Sequence, residues 1–237
     1  KAQKIGHLGT LDPLASGLLI LAVNRATKFS SYFLESDKSY DVEVEFGTST
    51  DTDDSTGKII YKSNDYPNKT SVKNHLESFI GESMQIPPFF SALKHKGKPL
   101  YKYARRGEFI SKPPRKISVN CIENFDFNNK VCAFRIYCSK GTYIRSIARD
   151  LGEKLGCGAH MKSLIRLSQG NFNISDAKRT SDILEEHKII ICIIARLRST
   201  RLPNKVIKKI KNETIIENII NKLKNIKHKN IEIALCT

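Results

Sequence analysis

The stretch Gly6-His7-Leu8-Gly9-Thr10-Leu11-Asp12-Pro13-Leu14-Ala15-Ser16-Gly17 packs three glycines, a histidine and an Asp-Pro pair directly before the apolar run Leu18-Leu19-Ile20-Leu21-Ala22-Val23. The apolar run predicts a buried strand. Glycine permits positive φ and close backbone approach, and Pro13 fixes the chain just after Asp12, so the segment is a loop that can aim a carboxylate. On the residues alone a structural turn is the favoured reading, because Asp-Pro and Gly-rich loops are common turn chemistry.

Working outward, Tyr40, Val42, Val44 and Phe46 alternate with Asp41, Glu43 and Glu45, the period-two pattern of a strand with one buried face. Gly47 to Gly57 is rich in Thr, Ser and Asp and predicts a loop. Its aspartates lack the order of ligands, glycine and terminal glutamate that a calcium loop requires, which leaves a polar turn. Val72, Leu76, Phe79 and Ile80 fall at helical spacing and stop at Gly81. Val131 to Cys138 predicts another strand, and Ile144, Ile147, Ala148, Leu151 and Leu155 mark one face of a helix ending at Gly156. Thr142 is a candidate cap for that helix, placing Arg145 in its first turn, where a cation opposes the dipole. Strands and helices alternate irregularly, which predicts an α+β fold on a mixed, mainly antiparallel sheet with flanking helices.

The character changes near 181–187. Beyond it, Ile189 to Ile194 predicts a strand, Arg196 to Lys205 a basic loop, Ile215 to Leu223 a helix and Ile231 to Leu235 a second strand, the start of a parallel α/β unit. Forty Lys and Arg against 24 Asp and Glu give a formal net charge of +16, which attracts polyanions, RNA first among them. Six cysteines occur without a Cys-x-x-Cys pair or zinc-finger spacing, which argues against a structural zinc site and a disulfide framework and fits a reducing cytosol. The longest apolar run, Ile189 to Ala195, is too short to span a membrane. A soluble, cytoplasmic, monomeric protein is expected.

The opening segment resembles the signature of the bacterial tRNA pseudouridine synthase B (TruB) family, which modifies uridine-55 in the T loop of tRNA. The likeness continues through Lys38-Ser39-Tyr40, Gln85 to Lys94, Lys98 to Gly107, Cys138 to Ser146, Gly156 to His160 and Leu164 to Leu167, reaching about Gly170. Several motifs in order over that length make a chance match very unlikely. The resemblance implies a pseudouridine synthase catalytic domain over 1–180, a junction at 181–187 and a separate segment over 188–237.

Carried over residue by residue, the resemblance implies that Asp12 is the catalytic aspartate, which forms a covalent adduct as the glycosidic bond is cleaved. A carboxylate suits this work, being nucleophilic when ionised and able to stabilise positive charge at the anomeric carbon. Tyr40 matches the tyrosine that stacks on the target base and is a candidate for the late proton abstraction from C5. Arg145 matches the arginine paired with the aspartate, a partner that keeps a desolvated carboxylate ionised. His7 resembles the histidine that takes the space of the extruded uridine, Tyr143 and Leu164 resemble pocket walls, and Lys28 matches a lysine near the site. Lys94, Lys96, Lys98, Lys102, Arg105 and Arg106 interleave with Tyr101 and Tyr103, a set that can pair phosphates and stack exposed bases; the resemblance implies that this region is an RNA-gripping insertion, with the T arm of tRNA the expected partner of the chain. The reaction needs no metal and no redox cofactor.

The tail resembles the opening of sugar-activating cytidylyltransferases, which implies nucleotide contacts at Arg196, Ser199, Arg201 and Lys205. About 45 residues of that fold are present, so no transferase activity is expected. The chain opens on Lys1 and reads as a fragment: the family's early strand and its small C-terminal RNA-binding domain are expected to be missing. Two other readings stand beside the enzyme, a catalytically incomplete RNA-binding or tRNA-chaperone module and a fusion with a cytidylyltransferase.

Overall fold

The computed structural model describes residues 4–177, together with strand segments at 189–191, 209–210, 213–214 and 231–236. The chain divides into two units, one formed by Lys1–Lys38 with Ile165–Thr237 and the other by Ser39–Leu164. No helix among the described residues is long and apolar enough to cross a membrane.

In the first unit, β1 (Ile5–His7) runs antiparallel to β2 (Ser16–Val23), with His7 opposite Leu21. The expected strand therefore begins two residues early, at Ser16, because it opens on a second partner. That partner is the end of β11 (Ala159–Gln169), which pairs parallel to it with Arg166 opposite Gly17. A 3-10 turn at Asn24–Phe29 and the short helix α1 (Ser30–Leu34) follow β2. Buried Leu8, Leu18, Ile20 and Ala22 form the core, covered by Phe33, Phe172, Ile174 and Ala177. Phe33 meets Phe172 edge to face at 5.6 Å, so β12 (Phe172–Asn173), antiparallel to β11, closes this core. Each large side chain so buried contributes roughly 1.5–3 kcal/mol.

The tail adds β13 (Ile189–Ile191), the small antiparallel pair β14 (Lys209–Ile210) and β15 (Glu213–Thr214), and β16 (Ile231–Cys236). β13 and β16 pair in parallel, as the sequence predicts, and β16 also lies antiparallel to β2 with Ala234 opposite Ile20. The helix expected over 215–223 lies outside the described residues.

The second unit is a sheet in the order β11, β3 (Lys38–Phe46), β10 (Val131–Cys138), β9 (Arg115–Asn128), β6 (Gly81–Gln85). β9 runs antiparallel to both its neighbours. Tyr40, Val42, Val44 and Phe46 are all buried, as their alternation predicts. Helix α4 (Ile144–Lys154) buries Ile144, Ile147, Ala148 and Leu151. It lies beside α2 (Lys69–Glu77), whose N-cap Asn68 accepts from the Ser71 N–H at 2.8 Å.

Three local expectations change. The segment 47–57 is not wholly a loop, since Thr48–Thr50 (β4) pairs antiparallel with Ile59–Lys62 (β5) and leaves the turn between them. Helix α2 ends at Glu77, before Gly81. Phe79 folds back into the core at 8% exposure while Ile80 is 46% exposed, so Ile80 belongs to the exit of the helix. Thr142 does not cap α4: its hydroxyl donates to the Ser139 carbonyl at 2.9 Å, and the N-cap is Tyr143.

The parallel pairing at Gly17 generates a test. A Cβ there would stand 2.3 Å from the Arg166 carbonyl oxygen, at φ +98°. Gly17→Ala is expected to lower the unfolding free energy by about 2–4 kcal/mol, read as a lower urea midpoint; an unchanged midpoint would show that this strand pairing is not held.

Candidate functional site

Asp12 sits in the loop between β1 and β2, and the loop's shape follows from where its carbonyls find donors. Leu8 is buried and its N–H still donates to Ile20 at 2.8 Å, after which the backbone leaves the sheet. A buried carbonyl without a donor costs about 1–3 kcal/mol, and β11 supplies the donors. Gln169 donates from Nε2 to the Leu8 carbonyl and, at 2.9 Å, to that of Phe33. Arg166 donates from Nε to the Leu18 carbonyl at 2.6 Å and from Nη2 to the Gly9 carbonyl at 3.1 Å. Both side chains are almost fully buried. Gly9 holds φ +147°, and a Cβ on it would meet Gln169 Oε1 at 3.1 Å and Arg166 Nη1 at 3.3 Å. Glycine is required there by close approach.

The Asp12 carbonyl accepts from the Ala15 N–H at 2.9 Å, closing a four-residue turn with Pro13 at its second position, where proline's fixed φ belongs. Asp12 is half-buried, and His7 and Lys28 are exposed, Lys28 at the end of the 3-10 turn. Arg166 and Gln169 are absent from the expected site. The signal for Arg166 is in the pattern: Leu164 and Arg166 face inward on β11 while Ile165 is 38% exposed, so a charged residue occupies a core position.

The second unit holds Tyr40, Tyr143, Arg145 and Leu164. Tyr40 on β3 and Leu164 on β11 are buried on neighbouring strands. Tyr143 is half-buried, and its N–H donates to Gln85 Oε1 at 2.8 Å while Gln85 Nε2 donates to its carbonyl at 3.1 Å. A side chain on β6 thus fixes the start of α4, the work that the sequence assigns to Thr142. Arg145 is 4% exposed in the first turn of α4. Its Nη1 donates to the Thr52 carbonyl at 3.1 Å and its Nη2 to the Phe90 carbonyl at 2.9 Å.

The turn that carries Thr52 is built from within. Asp54 Oδ1 accepts from the Thr56 N–H at 2.9 Å and from the hydroxyls of Thr52 and Thr56 at 2.8 and 2.6 Å, while Asp51 Oδ1 accepts from the Lys58 N–H at 2.7 Å. These carboxylates serve the turn itself. Asp53 instead faces Arg149 of α4, Oδ2 to Nη1 at 3.3 Å. Burial pushes the Asp53 carboxyl up to about 6 against the pull of Arg149 and Arg145, with Asp150 and Glu153 adding to the rise. Burial also opposes the charge of Arg149, yet Asp53, Asp150 and Glu153 together hold that guanidinium above its ordinary value. Both values rise, which disfavours the charged form of Asp53 and favours that of Arg149, because Arg149 draws on three carboxylates whereas Asp53 carries the desolvation cost with acids nearby.

Lys94–His95 (β7) and Lys98–Pro99 (β8) form a hairpin that runs into α3 (Leu100–Ala104). Lys96 and Gly97 at its tip have φ +46° and +79°, the two left-handed residues of a tight hairpin turn. Lys94, Lys96, Lys98, Lys102, Arg105 and Arg106 are all exposed. The tyrosines are half-buried and engaged: Arg105 lies 5.2 Å from the Tyr101 ring centroid, and Tyr103 donates to the His95 carbonyl at 3.1 Å. The basic side chains are thus presented outward, while Tyr103 ties the hairpin to α3.

Burial pushes the Cys132 thiol up to about 12 and also raises that of Cys157, so neither supplies a thiolate near neutral pH. No group of His, Cys, Asp and Glu among the described residues is placed to hold a metal. Arg196, Ser199, Arg201 and Lys205 lie outside the described residues.

Comparison with known proteins bears on the whole chain. Residues 1–144 match the family model described as TruB family pseudouridylate synthase (N terminal domain), and 145–191 match the tRNA pseudouridylate synthase B C-terminal domain. Residues 190–234 match a cytidylyltransferase model. The chain is 51% identical over 171 residues to tRNA pseudouridine synthase B of Blochmanniella floridana, covering 72% of this chain and 67% of that one. It is 46% identical over 193 residues to that of Francisella philomiragia, covering 79% and 64%. The chain thus spans about two thirds of the length of these curated relatives. Among solved structures, the crystal structure of a Cbf5-Nop10-Gar1 complex aligns with TM-score 0.54 and 30% identity over 73% of this chain and 42% of that chain. The structure of an H/ACA RNP bound to a substrate RNA containing 2'-deoxyuridine aligns with TM-score 0.52 and 26% identity over 73% and 40%.

The raised Asp53 carboxyl sets a sign for stability against pH. A folded value of about 6 against an ordinary 3.8 means that the folded chain binds the extra proton. The stabilisation is full below pH 3.8 and is lost as pH rises through 6. The unfolding free energy of the wild type minus that of Asp53→Asn should fall by roughly 2–3 kcal/mol between pH 4 and 7, by urea titration at each pH; a flat difference would show that Asp53 ionises as in water.

Proposed function

Because the chain belongs to the TruB family of pseudouridylate synthases, we propose that it carries the catalytic core of a tRNA pseudouridine synthase, isomerising uridine-55 of the T loop through a covalent adduct on Asp12. The observation that carries this reading is the pair of family-model matches, over 1–144, which include Asp12 and Tyr40, and over 145–191, which include Arg145, beside the 51% identity to a curated tRNA pseudouridine synthase B. The anchoring of the Asp12 loop by Arg166 and Gln169 supports it, since a nucleophile acts through a fixed position.

The chemistry balances without an oxidant or a metal. The Asp12 carboxylate attacks the anomeric carbon, the bond from that carbon to N1 breaks, and its electron pair leaves on the uracil ring. The ring turns, C5 attacks the same carbon and the carboxylate departs. The hydrogen on C5 is then removed, with Tyr40 the group proposed to take it, and N1 gains a proton. Arg145 is the residue proposed as the charge partner of the aspartate in the reaction. Because the target bond is inaccessible in a stacked loop, the base must be extruded; His7 is proposed to fill the space it leaves, with Tyr143 and Leu164 as walls and Lys28 nearby. The exposed cations of the 94–106 segment suit the phosphates of the T arm.

The test incubates the chain and an Asp12→Asn variant with an unmodified tRNA transcript and maps pseudouridine by carbodiimide labelling. The wild type is expected to mark one T-loop uridine, and Asp12→Asn to lose at least about 1,000-fold in rate. Equal product from both would remove Asp12 from the chemistry. Salt-sensitive T-arm binding with no product from either would favour the RNA-binding module instead. In the same assay, Arg105→Ala with Arg106→Ala should weaken tRNA binding and lower the dependence of affinity on salt by about two phosphate contacts; unchanged affinity would remove this segment from the interface.

A further inference from the structure

Helix α4 carries two arginines one turn apart, Arg145 and Arg149, and that spacing places them on one face of the helix. Both reach across to the same two segments. Arg145 donates to the carbonyls of Thr52 and Phe90. Arg149 bonds Asp53, next to Thr52, donating from Nη1 to its Oδ2 at 3.3 Å, and donates from Nη2 at 3.1 Å to the carbonyl of Ile86, four residues before Phe90. Ser146, between them, donates to the same Ile86 carbonyl at 2.9 Å. The two carbonyls that orient the Arg145 guanidinium thus lie on segments that Arg149 ties down.

We propose that Asp53 and Arg149 are positioning residues for Arg145, their ion pair holding the turn after β4 against α4 so that the Thr52 carbonyl stays on the Arg145 guanidinium. The inference rests on the proposed role of Arg145 in the reaction and extends it to a pair that need not touch the substrate.

The local geometry fits this better than a surface tie. Asp53 is one of the non-glycine residues in the left-handed region, at φ +61°, which an aspartate tolerates at a modest cost. Its N–H donates to Thr50 at 3.2 Å and its carbonyl accepts from Met161 at 3.0 Å, so its backbone is fixed on both sides. That conformation turns the carboxylate away from the internal bonds of Asp51 and Asp54 and towards α4. The arginine end is equally constrained, since Arg149 donates from Nε and Nη2 to Asp150 at 2.9 and 2.7 Å. With Nε and Nη2 engaged elsewhere, Nη1 is the nitrogen that faces the turn. The burial that raises the Asp53 carboxyl also makes the pair a poor source of stability, as buried ion pairs often are. A contact that costs stability yet sets the geometry of a neighbour is what a positioning pair requires.

The experiment uses the full chain labelled with ¹⁵N-arginine and compares wild type, Asp53→Asn, Arg149→Lys and, as a control, Glu153→Gln, whose side chain is 69% exposed and 4.0 Å from Arg149 Nε. Two readouts are taken: hydrogen exchange at the Arg145 side-chain N–H groups, and the single-turnover rate on saturating tRNA transcript with the binding constant measured separately. In Asp53→Asn and Arg149→Lys the Arg145 exchange should rise about tenfold, and the single-turnover rate should fall by a similar factor with tRNA affinity within twofold. Glu153→Gln should match the wild type in both. Arg145 exchange unchanged in the two variants overturns the inference, whether or not the wild type turns over. Faster exchange with an unchanged turnover rate overturns it as well. A wild type that forms no pseudouridine would count against the proposed function, and the exchange comparison would still decide whether the pair positions Arg145.

Discussion

Backbone carbonyls at Leu8, Gly9 and Leu18 flank the Asp12 turn, and all three accept hydrogen bonds from side chains of β11. A loop rich in glycine has few side chains of its own with which to hold a shape, and leaving the sheet strips its carbonyls of strand partners. Arg166 and Gln169 answer both problems at once, entering the core from a strand that also pairs in parallel with β2. The same side chains explain the glycines. Gly9 leaves room for the amide and guanidinium, and Gly17 leaves room for the backbone of Arg166 itself. Geometry at Asp12 therefore depends on residues more than 150 positions away in the sequence.

That separation decides what was legible in the sequence. Periodic apolar patterns identified β2, β3, β10 and α4 because each buries one face at a fixed period, and the alternation through Tyr40 to Phe46 reports burial directly. The motif resemblance named the family that the comparisons bear out. Side-chain capping was the weak point. Thr142 satisfies the local rule for a helix start, yet Gln85 on a strand 58 residues earlier takes the task, because it reaches both the N–H and the carbonyl of Tyr143. Helix α2 shows the same limit. Ile80 fits the helical period, but the chain turns at Ser78 so that Phe79 can enter the core.

Residues proposed for the chemistry divide the same way. Asp12, Tyr40 and Arg145 announce themselves through motif; of the residues that brace their segments, Gln85 and Arg166 lie within the family-like stretches without being singled out by them, and Gln169, Asp53 and Arg149 lie outside the stretches or carry no role in them. Arg166 could have been suspected from its inward register beside Leu164, where a core strand would ordinarily place an aliphatic residue. Asp53 could not, because the acidic turn between β4 and β5 contains three aspartates of similar appearance. Only the positive φ separates the one that faces α4 from the two that close the turn.

Arginine recurs at these positions for a physical reason. Arg145, Arg149 and Arg166 each spread their donors over two or more acceptors, and backbone carbonyls are prominent among them: Thr52 and Phe90, Ile86, and Leu18 and Gly9. A guanidinium offers five N–H groups in a rigid plane, so one side chain can fix two segments at once and stay charged at any physiological pH. Lysine would bring the same charge as a point on a flexible stem, without the fork that sets the angle between two carbonyls. Where the chain must hold irregular backbone in a buried place, it therefore uses the side chain whose geometry is fixed by its own bonding. The shape of the loop around Asp12 and of the turn between β4 and β5 then follows from the planarity of the guanidinium more than from the attraction between opposite charges.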